Sequence, residues 1–526
     1  MTATARGSVQ PVSPLLQPDA AVVRVTSTAT VSNPKASEPA HGLQGTVFGL
    51  RGPFPISKNV NKKMSSDSLP ALTPSSVKLS RGSLTVVVNG DYPSWVRVNK
   101  TGSEILDYCD GMHTMNELVD SLSAKYGRPT EEVRKDVQAF LANAISKHLF
   151  DTEPPWKYTV HEAIDRQKPS IVVINVTNKC NLLCPYCYQS AGRAYKDELR
   201  SEEIVSVIKQ ALEINPEINI SLSGGEPLMR KGITEIISFA CSKARKVSLL
   251  TNGTLITAKV ADELARVKSD RLFVQVSVDG ANPLTHDSIR GEGSFERSMK
   301  GIRLLQENGI PVVLSYTVTK ANSGQISEFL KLCDRLKVRL TRIDYVKAVG
   351  RAQGDGQSMC LTPQDYYDAV KTINHAQAEY GWRYGNPLND RAILLGSFLK
   401  PRAICGAGVS IIFVDADGNV YPCTSLTSPE CLGGNIRRDS MEWIVTRSEA
   451  FRRLRHFDIN SVDECRTCYL KYICNGACWI DGYAAYNAPA PNPYCSSLKR
   501  LADEMILEFA QNPSRIPELA ALKIAT

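Results

Sequence analysis

Cysteine spacing constrains this chain more than any other feature of its sequence. Cys180-x3-Cys184-x2-Cys187 forms one tight set and Cys465-x2-Cys468-x5-Cys474-x3-Cys478 a second, while the rest of the fifteen cysteines lie further apart. At 526 residues the chain can bury two or three cores without staples, so disulfides are not needed to account for that number. Thiols set this densely along a chain bind metal. The first set suits one cofactor in particular: three thiolates can grip three irons of a 4Fe-4S cube and leave the fourth iron without a protein ligand. A structural zinc site wants four ligands, and neither a His nor a fourth Cys lies near Cys180–Cys187. Free thiols imply a reducing compartment, the cytoplasm. Neither an apolar run of about 18 residues nor a secretory signal is present, so no membrane passage is expected.

The net charge of +8 hints at nucleic acid until it is located. Residues 1–80 hold eight Lys/Arg against three acids, which leaves the body almost neutral and without a basic stripe. Nucleic-acid binding is therefore not expected. That tail is rich in Pro, Ser, Thr and Ala, shows no period of 2 or 3.6, and reads as disordered. Its composition also suits an organelle transit peptide, but no amphipathic Arg helix accompanies it. Order should begin near Leu84, where LTVVVN (84–89) and WVRVN (95–99) form a hairpin across a Gly-Asp-Tyr-Pro turn. Helical patterns follow at 101–109, 114–126 and 130–147, the second opened by a capping box, Thr114 with Glu117.

From Ile171 strands alternate with amphipathic helices. Strands are expected at 171–176, 218–222, 246–251, 272–278, 312–318 and 341–346, with helices at 201–214, 232–243, 257–267, 295–308 and 324–336. Six β/α units with near-continuous apolar strands imply an α/β fold with a parallel sheet curled toward a partial (β/α)6 TIM-like barrel. Chemistry then belongs at the strand C-terminal ends, where the Cys180–Cys187 loop falls. Residues 360–400 read as a bridging segment of little regular pattern, 401–500 as a cysteine-rich extension, and 501–526 as a C-terminal helix or tail.

The loop NKCNLLCPYCYQ resembles the signature of the radical S-adenosylmethionine (SAM) superfamily, and the resemblance extends over residues 171–350. It implies that Cys180, Cys184 and Cys187 hold a 4Fe-4S cluster whose open iron chelates SAM, with Tyr186 against the adenine. Gly224-Gly225-Glu226-Pro227 resembles the family's GGEP motif at the SAM amino group; glycines admit close backbone approach and a carboxylate complements an ammonium. Ser277 and Asp279 in SVDG, Arg290, and Asn252 in TNG resemble further SAM contacts. Reductive cleavage of SAM would give a 5′-deoxyadenosyl radical that abstracts hydrogen from a C–H bond, with orientation supplied by the protein. An external flavodoxin- or ferredoxin-like carrier would deliver the electron.

The later cysteines resemble the SPASM extension of radical SAM enzymes that act on peptides. By that resemblance Cys465, Cys468, Cys474 and Cys495 hold a distal auxiliary 4Fe-4S cluster, and Cys405, Cys423 and Cys478 a proximal one. Either the proximal cluster keeps an open iron or another ligand fills it, Cys431 being the nearest candidate. Zinc in this extension is the alternative, and colour would separate the two. Thr424 stands where sulfatase-maturing relatives place an aspartate base, which disfavours sulfatase maturation. Cys109, Cys241, Cys333 and Cys360 read as ordinary lone cysteines.

Residues 84–150 resemble PqqD-like recognition elements of ribosomal-peptide pathways, with a winged-helix-like fold; Trp95, Val98-Asn99, Thr101-Gly102, Ile105-Leu106, Asp110-Gly111 and Tyr126-Gly127 carry the match. Seven basic residues against eight acids over 95–147 argue against DNA. The resemblance implies that the leader segment of a precursor peptide adds as a strand at the hairpin edge. The expected reaction is a thioether or carbon–carbon cross-link, with single-residue modification, by epimerisation or quinone-cofactor maturation, as the alternative. A non-catalytic iron–sulfur electron carrier is the other class; it would need no SAM pocket, so GGEP and SVDG favour the enzyme.

Overall fold

The computed structural model describes residues 68–92, 94–152, 168–267, 269–338, 340–380, 405–474, 476–486 and 490–512. Most of the tail (1–67), the second half of the bridging segment (381–404) and residues 513–526 lie outside them.

The first unit is a three-stranded antiparallel sheet, β1 (Ser76–Arg81), β2 (Leu84–Asn89) and β3 (Ser94–Val98), followed by helices Lys100–Asp107, Met115–Tyr126 and Thr130–Ser146. The expected capping box is present: Thr114 accepts from Glu117 N–H while Glu117 reaches back to the Thr114 N–H. Gly127 ends that helix in the left-handed region at φ +63°, where a side chain would be strained. β1 is a correction, because residues 76–80 were assigned to the disordered tail. Ser-Val-Lys-Leu-Ser-Arg alternates polar and apolar residues too weakly to stand out, and the strand owes its order to full pairing with β2, Ser76 to Asn89 through Arg81 to Leu84.

The sheet of this unit is buried on both faces. Val87, Val96 and Val98 point to its own helices, whereas Leu84, Val86, Val88 and Trp95 share a core with Leu498, Ala502, Met505 and Phe509 of the C-terminal helix Cys495–Gln511. Period-2 alternation splits the side chains between two cores. The unit is thus packed onto the C-terminal helix. That helix starts at Cys495, six residues before the expected C-terminal element.

Six parallel strands, β4 (Ile171–Asn175), β5 (Asn219–Ser223), β6 (Val247–Thr251), β7 (Leu272–Ser277), β8 (Val312–Val318) and β9 (Thr341–Tyr345), lie side by side in chain order. Helices Ser201–Ile214, Ile233–Lys243, Ala258–Arg266, Ser294–Glu307 and Ile326–Arg335 cover one face, close to the expected spans. β10 (Ile411–Val414) adds in parallel beside β4, and β11 (Asn419–Tyr421) and β12 (Gly434–Asn435) follow antiparallel. The strand order ends at β9 and β12, so the sheet is an open nine-stranded partial barrel. Its strands are less continuously apolar than a doubly covered sheet requires: Val274, Val276, Leu314 and Tyr316 bury against helices, while Gln275, Ser277, Ser315 and Thr317 lie half-buried on the concave side. A sheet open on one face keeps that alternation. Within the expected bridging segment, Pro363–Tyr380 is a regular helix packed on the C-terminal helix.

Candidate functional site

The loop after β4 carries Cys180, Cys184 and Cys187 at the C-terminal rim of the barrel. It is folded back on itself: the Cys180 N–H donates to the Gly192 carbonyl at 3.0 Å, and Gly192 N–H to the Asn178 carbonyl at 3.0 Å. Glu198 closes its base by accepting from Thr177 Oγ1 (2.8 Å) and the Asn178 N–H (2.7 Å). Burial pushes the Cys180 thiol up to about 11, and the neighbouring Glu226, Cys184 and Cys187 push the same way. Burial also raises Cys184, with Arg290 pulling it back. Thiols in such a place are inert until a cation removes their protons.

Gly224-Gly225-Glu226-Pro227 is fastened onto this loop. Gly225 N–H donates to the Thr177 carbonyl and Glu226 N–H to the Lys179 carbonyl, both at 2.8 Å. A Cβ on Gly225 would lie 2.4 Å from the Lys179 carbonyl oxygen, and one on Gly224, at φ +135°, 2.2 Å from that of Thr177. Only glycine lets the two segments meet. Glu226 is fully buried, and its carboxylate accepts from Thr251 Oγ1 (2.7 Å), Asn252 N–H (2.8 Å) and Leu228 N–H (3.1 Å). It pins the end of β6 to the end of β5, which leaves the glycine backbone as the more open part of the motif. Asn252 in turn donates to Asn181 Oδ1 at 3.0 Å, between Cys180 and Cys184.

Tyr186, Asp279 and Arg290 form one knot. The Tyr186 hydroxyl donates to Asp279, Arg290 Nε donates to the same carboxylate at 2.5 Å, and Arg290 Nη2 donates to the Tyr186 oxygen at 2.7 Å. Asp279 is inaccessible to solvent and takes a further bond from Thr317 N–H at 2.9 Å. Burial raises the Tyr186 hydroxyl well above its ordinary range, so it stays a donor. Ser277 ends β7 opposite Ser315, half-buried on the concave face.

Sequence reasoning missed two residues. His286 accepts from the Asp279 N–H through Nδ1 at 3.2 Å, and burial, aided by Arg290, lowers its imidazole to about 4. Arg351, in the turn after β9, donates to the carbonyls of Cys184 (2.9 Å) and Ala191 (2.7 Å), while its N–H donates to that of Cys187 (3.0 Å). Neither stands out in sequence, because each acts on backbone brought close only by the fold.

The later cysteines separate into two neighbourhoods. Cys465, Cys468 and Cys495 lie close enough to act on one another's thiols; burial and then Cys468 and Cys495 raise Cys465 to about 12, and Cys468 and Cys474 each pack against the main core. Cys405, Cys423 and Cys478 instead border a second apolar cluster that contains fully buried Cys431. Gln189 of the first loop reaches this region by donating to the Thr424 carbonyl at 3.2 Å. None of the fifteen cysteines forms a disulfide, and Cys109, Cys241 and Cys333 are buried in cores. Among the described residues no three His, Cys, Asp or Glu groups converge on a single-ion site. The thiols on a cluster stand around a cube, further apart than ligands of one ion, and three separate sulfur-rich neighbourhoods suit that donor set.

A partial parallel barrel with a three-thiol loop at its catalytic rim defines an iron–sulfur enzyme of the SAM-cleaving type. Comparison with known proteins agrees. Residues 174–333 match the radical SAM superfamily, 85–149 the coenzyme PQQ synthesis protein D family, and 405–469 the SPASM iron-sulfur cluster-binding domain. Mycofactocin maturase MftC of Mycolicibacterium smegmatis is 30% identical over 62% of this chain and 82% of its own. An AdoMet-dependent heme synthase of Methanosarcina barkeri is 31% identical (62% and 96%), and the PqqA peptide cyclase of Rhizobium meliloti 29% (66% and 93%). The crystal structure of Streptococcus suis SuiB bound to precursor peptide SuiA shares the fold, with a TM-score of 0.54 and 14% identity over 81% of this chain and all of that one. The chain belongs to the radical SAM superfamily, with PqqD-like and SPASM domains. Its cofactors are SAM, a 4Fe-4S cluster at the barrel and auxiliary iron–sulfur clusters in the SPASM domain.

Proposed function

We propose that the chain is a radical SAM maturase that cross-links a ribosomally made precursor peptide through a thioether or carbon–carbon bond. The observation that carries this reading is the PqqD-like unit fused to the barrel, in which β1 covers one side of the hairpin and leaves the outer edge of β3 unpaired among the described strands. An extended leader can add there by backbone hydrogen bonds. The similar PqqA peptide cyclase, and SuiB bound to its precursor peptide, support a peptide substrate.

In this reading Cys180, Cys184 and Cys187 hold the SAM-binding cluster, and reductive cleavage of bound SAM supplies hydrogen-atom abstraction. The Gly224-Gly225 backbone orients the amino group, with Tyr186, Asn252, Ser277, Asp279 and Arg290 around the remainder. Because the Tyr186–Asp279–Arg290 knot is closed, its members hold the pocket's shape as one unit. Cys465, Cys468, Cys474 and Cys495 carry the distal auxiliary cluster, and Cys405, Cys423 and Cys478 the proximal one, which either keeps an open iron or takes Cys431, buried in the adjoining apolar cluster, as its fourth ligand. A flavodoxin- or ferredoxin-like protein delivers electrons. Fifteen cysteines without a disulfide among them support a cytoplasmic setting, and no described helix is long and apolar enough to cross a membrane.

The test is anaerobic incubation with SAM, dithionite and each short peptide found encoded in the neighbourhood of this gene. Loss of two hydrogens per event, with deoxyadenosine formed, supports cross-linking. Unchanged mass with deuterium uptake from solvent would move the assignment to epimerisation, and no deoxyadenosine at all would end the enzyme reading.

A further inference from the structure

The segment leaving β9 runs between the two iron–sulfur regions. Arg351 holds the carbonyls of Cys184 and Cys187, and Val349 packs in the apolar cluster bordered by Cys405, Cys423 and Cys478. Two residues earlier, Lys347 is mostly buried, with 17% of its side chain exposed. Its ammonium sits 3.3 Å from the centroid of the Tyr345 ring, 3.5 Å from Asp481 and 3.9 Å from Asp344. Tyr345 is itself fixed edge-on against Tyr366 and Tyr494, both with centroids 5.3 Å away.

Asp481 is almost fully buried, and it also accepts from the Tyr345 hydroxyl and from Asn492 Nδ2 at 3.0 Å. Asn492 donates to the Cys478 carbonyl at 3.2 Å, and its own carbonyl accepts from the Cys495 N–H at 2.9 Å. The ion pair is therefore built into the backbone that carries one cysteine of each auxiliary group. The Asp481 N–H also donates to the Cys478 carbonyl at 3.1 Å, and Val349, two residues from Lys347, packs in the cluster that Cys405 and Cys423 border, so the ion pair lies beside the proximal thiols.

We propose that Lys347, held by Tyr345 and countered by Asp481, is the charge that sets the reduction potential of the proximal auxiliary cluster. A cluster gains one negative charge on reduction. A fixed cation beside it stabilises the reduced form more than the oxidised one, and a carboxylate beside it does the reverse. The pair gives two handles of opposite sign at one place. The ammonium lies on the last barrel strand's exit and the carboxylate on the SPASM side, so the potential depends on the two domains keeping their contact. Lys347 acts through the cluster and is a positioning residue. The inference rests on the assignment of Cys405, Cys423 and Cys478 to an auxiliary cluster.

The experiment is an EPR-monitored titration of the reconstituted full-length protein with dithionite as electron donor. It compares the parent with Lys347→Met, Lys347→Arg, Asp481→Asn and the double variant. The parent first establishes that a second cluster besides the SAM-binding one takes up an electron; a parent without one refutes the cluster assignment itself. With that signal present, Lys347→Met lowers the reduced-to-oxidised ratio of the proximal cluster about tenfold at a given potential, about 59 mV for one electron. Asp481→Asn shifts the ratio the other way, the double variant returns near the parent, and Lys347→Arg stays close to it. The SAM-binding cluster keeps its midpoint throughout. Equal midpoints in parent and Lys347→Met, or shifts of the same sign in Lys347→Met and Asp481→Asn, overturn the proposal. If Lys347→Met fails to retain iron, Asp481→Asn against Lys347→Arg still decides by sign.

Discussion

Gly225→Ala tests how the SAM-cluster loop is held. The new methyl carbon would sit 2.4 Å from the Lys179 carbonyl oxygen and 2.7 Å from that of Asn178, both backbone atoms that no rotamer change can move. Relief requires the GGEP turn to lift off the loop, stretching the two 2.8 Å bonds from Gly225 and Glu226. Overpacking costs about 1–3 kcal/mol and each weakened bond about 1 kcal/mol, so local closure of the loop loses about 3 kcal/mol. That corresponds to roughly a hundredfold rise in the open population. The assay is anaerobic iron release to a chelator, followed through the EPR signal of the SAM-binding cluster. Gly324→Ala is the control, since nothing lies within 4 Å of its Cβ. Iron release from Gly225→Ala at the parent's rate would refute the argument, as would equal acceleration in the control.

Other expectations follow from single contacts. Arg351→Gln removes the charged bonds to the Cys184 and Ala191 carbonyls, worth about 2 kcal/mol together, and should cut iron at the SAM-binding cluster while the auxiliary signals persist. His286 is neutral in the fold at about 4 against 6.5 unfolded, so the unfolded state binds the extra proton between those values and stability falls as pH drops through them. The loss is about 1 kcal/mol between pH 7 and 5.5, seen as a lower urea midpoint, and His286→Gln should abolish it. Deleting residues 68–150 should yield an aggregating chain by size exclusion, because Leu498, Met505 and Phe509 lose the β-sheet that covers them; a monodisperse product would mean the unit is detachable.

The strands and helices of the barrel were legible because each is amphipathic with its own period, and β8 falls on the expected residues without a shift. The three cysteines and the GGEP, SVDG and TNG segments were legible as local patterns. Their partnerships were not. Glu226 reads as an ammonium acceptor in sequence, yet its carboxylate spends one bond on Leu228, two residues on, and two more on Thr251 and Asn252, which only the β5–β6 adjacency brings near. Arg351 was hidden because its targets are backbone carbonyls more than 150 positions away. β1 was hidden by its flanks: a six-residue strand beside a long Ser/Pro-rich stretch carries too little apolar pattern to announce itself, and it orders through pairing.

The hairpin proposed to take the leader is also a structural cover for the segment around Cys468. Gly90, at the end of β2, approaches so closely that a Cβ there would lie 2.4 Å from Tyr469 Cα and 2.8 Å from the Cys468 carbonyl oxygen. Beside it Asp91 pairs with Lys471, whose side chain is 5% exposed. Thr73, Ser75 and Lys471 all bond that carboxylate or its neighbours, and the balance holds Asp91 below its ordinary range despite burial. A buried pair of this kind is costly to break on one side, since the remaining charge is left without a partner. A leader strand added at β3, as proposed, would join a sheet whose opposite face and turn already rest on the Cys468–Lys471 segment and the Cys495 helix. The proposed recognition edge and the distal sulfur-rich site thus belong to one packed unit, joined by the Gly90–Tyr469 contact and the Asp91–Lys471 pair.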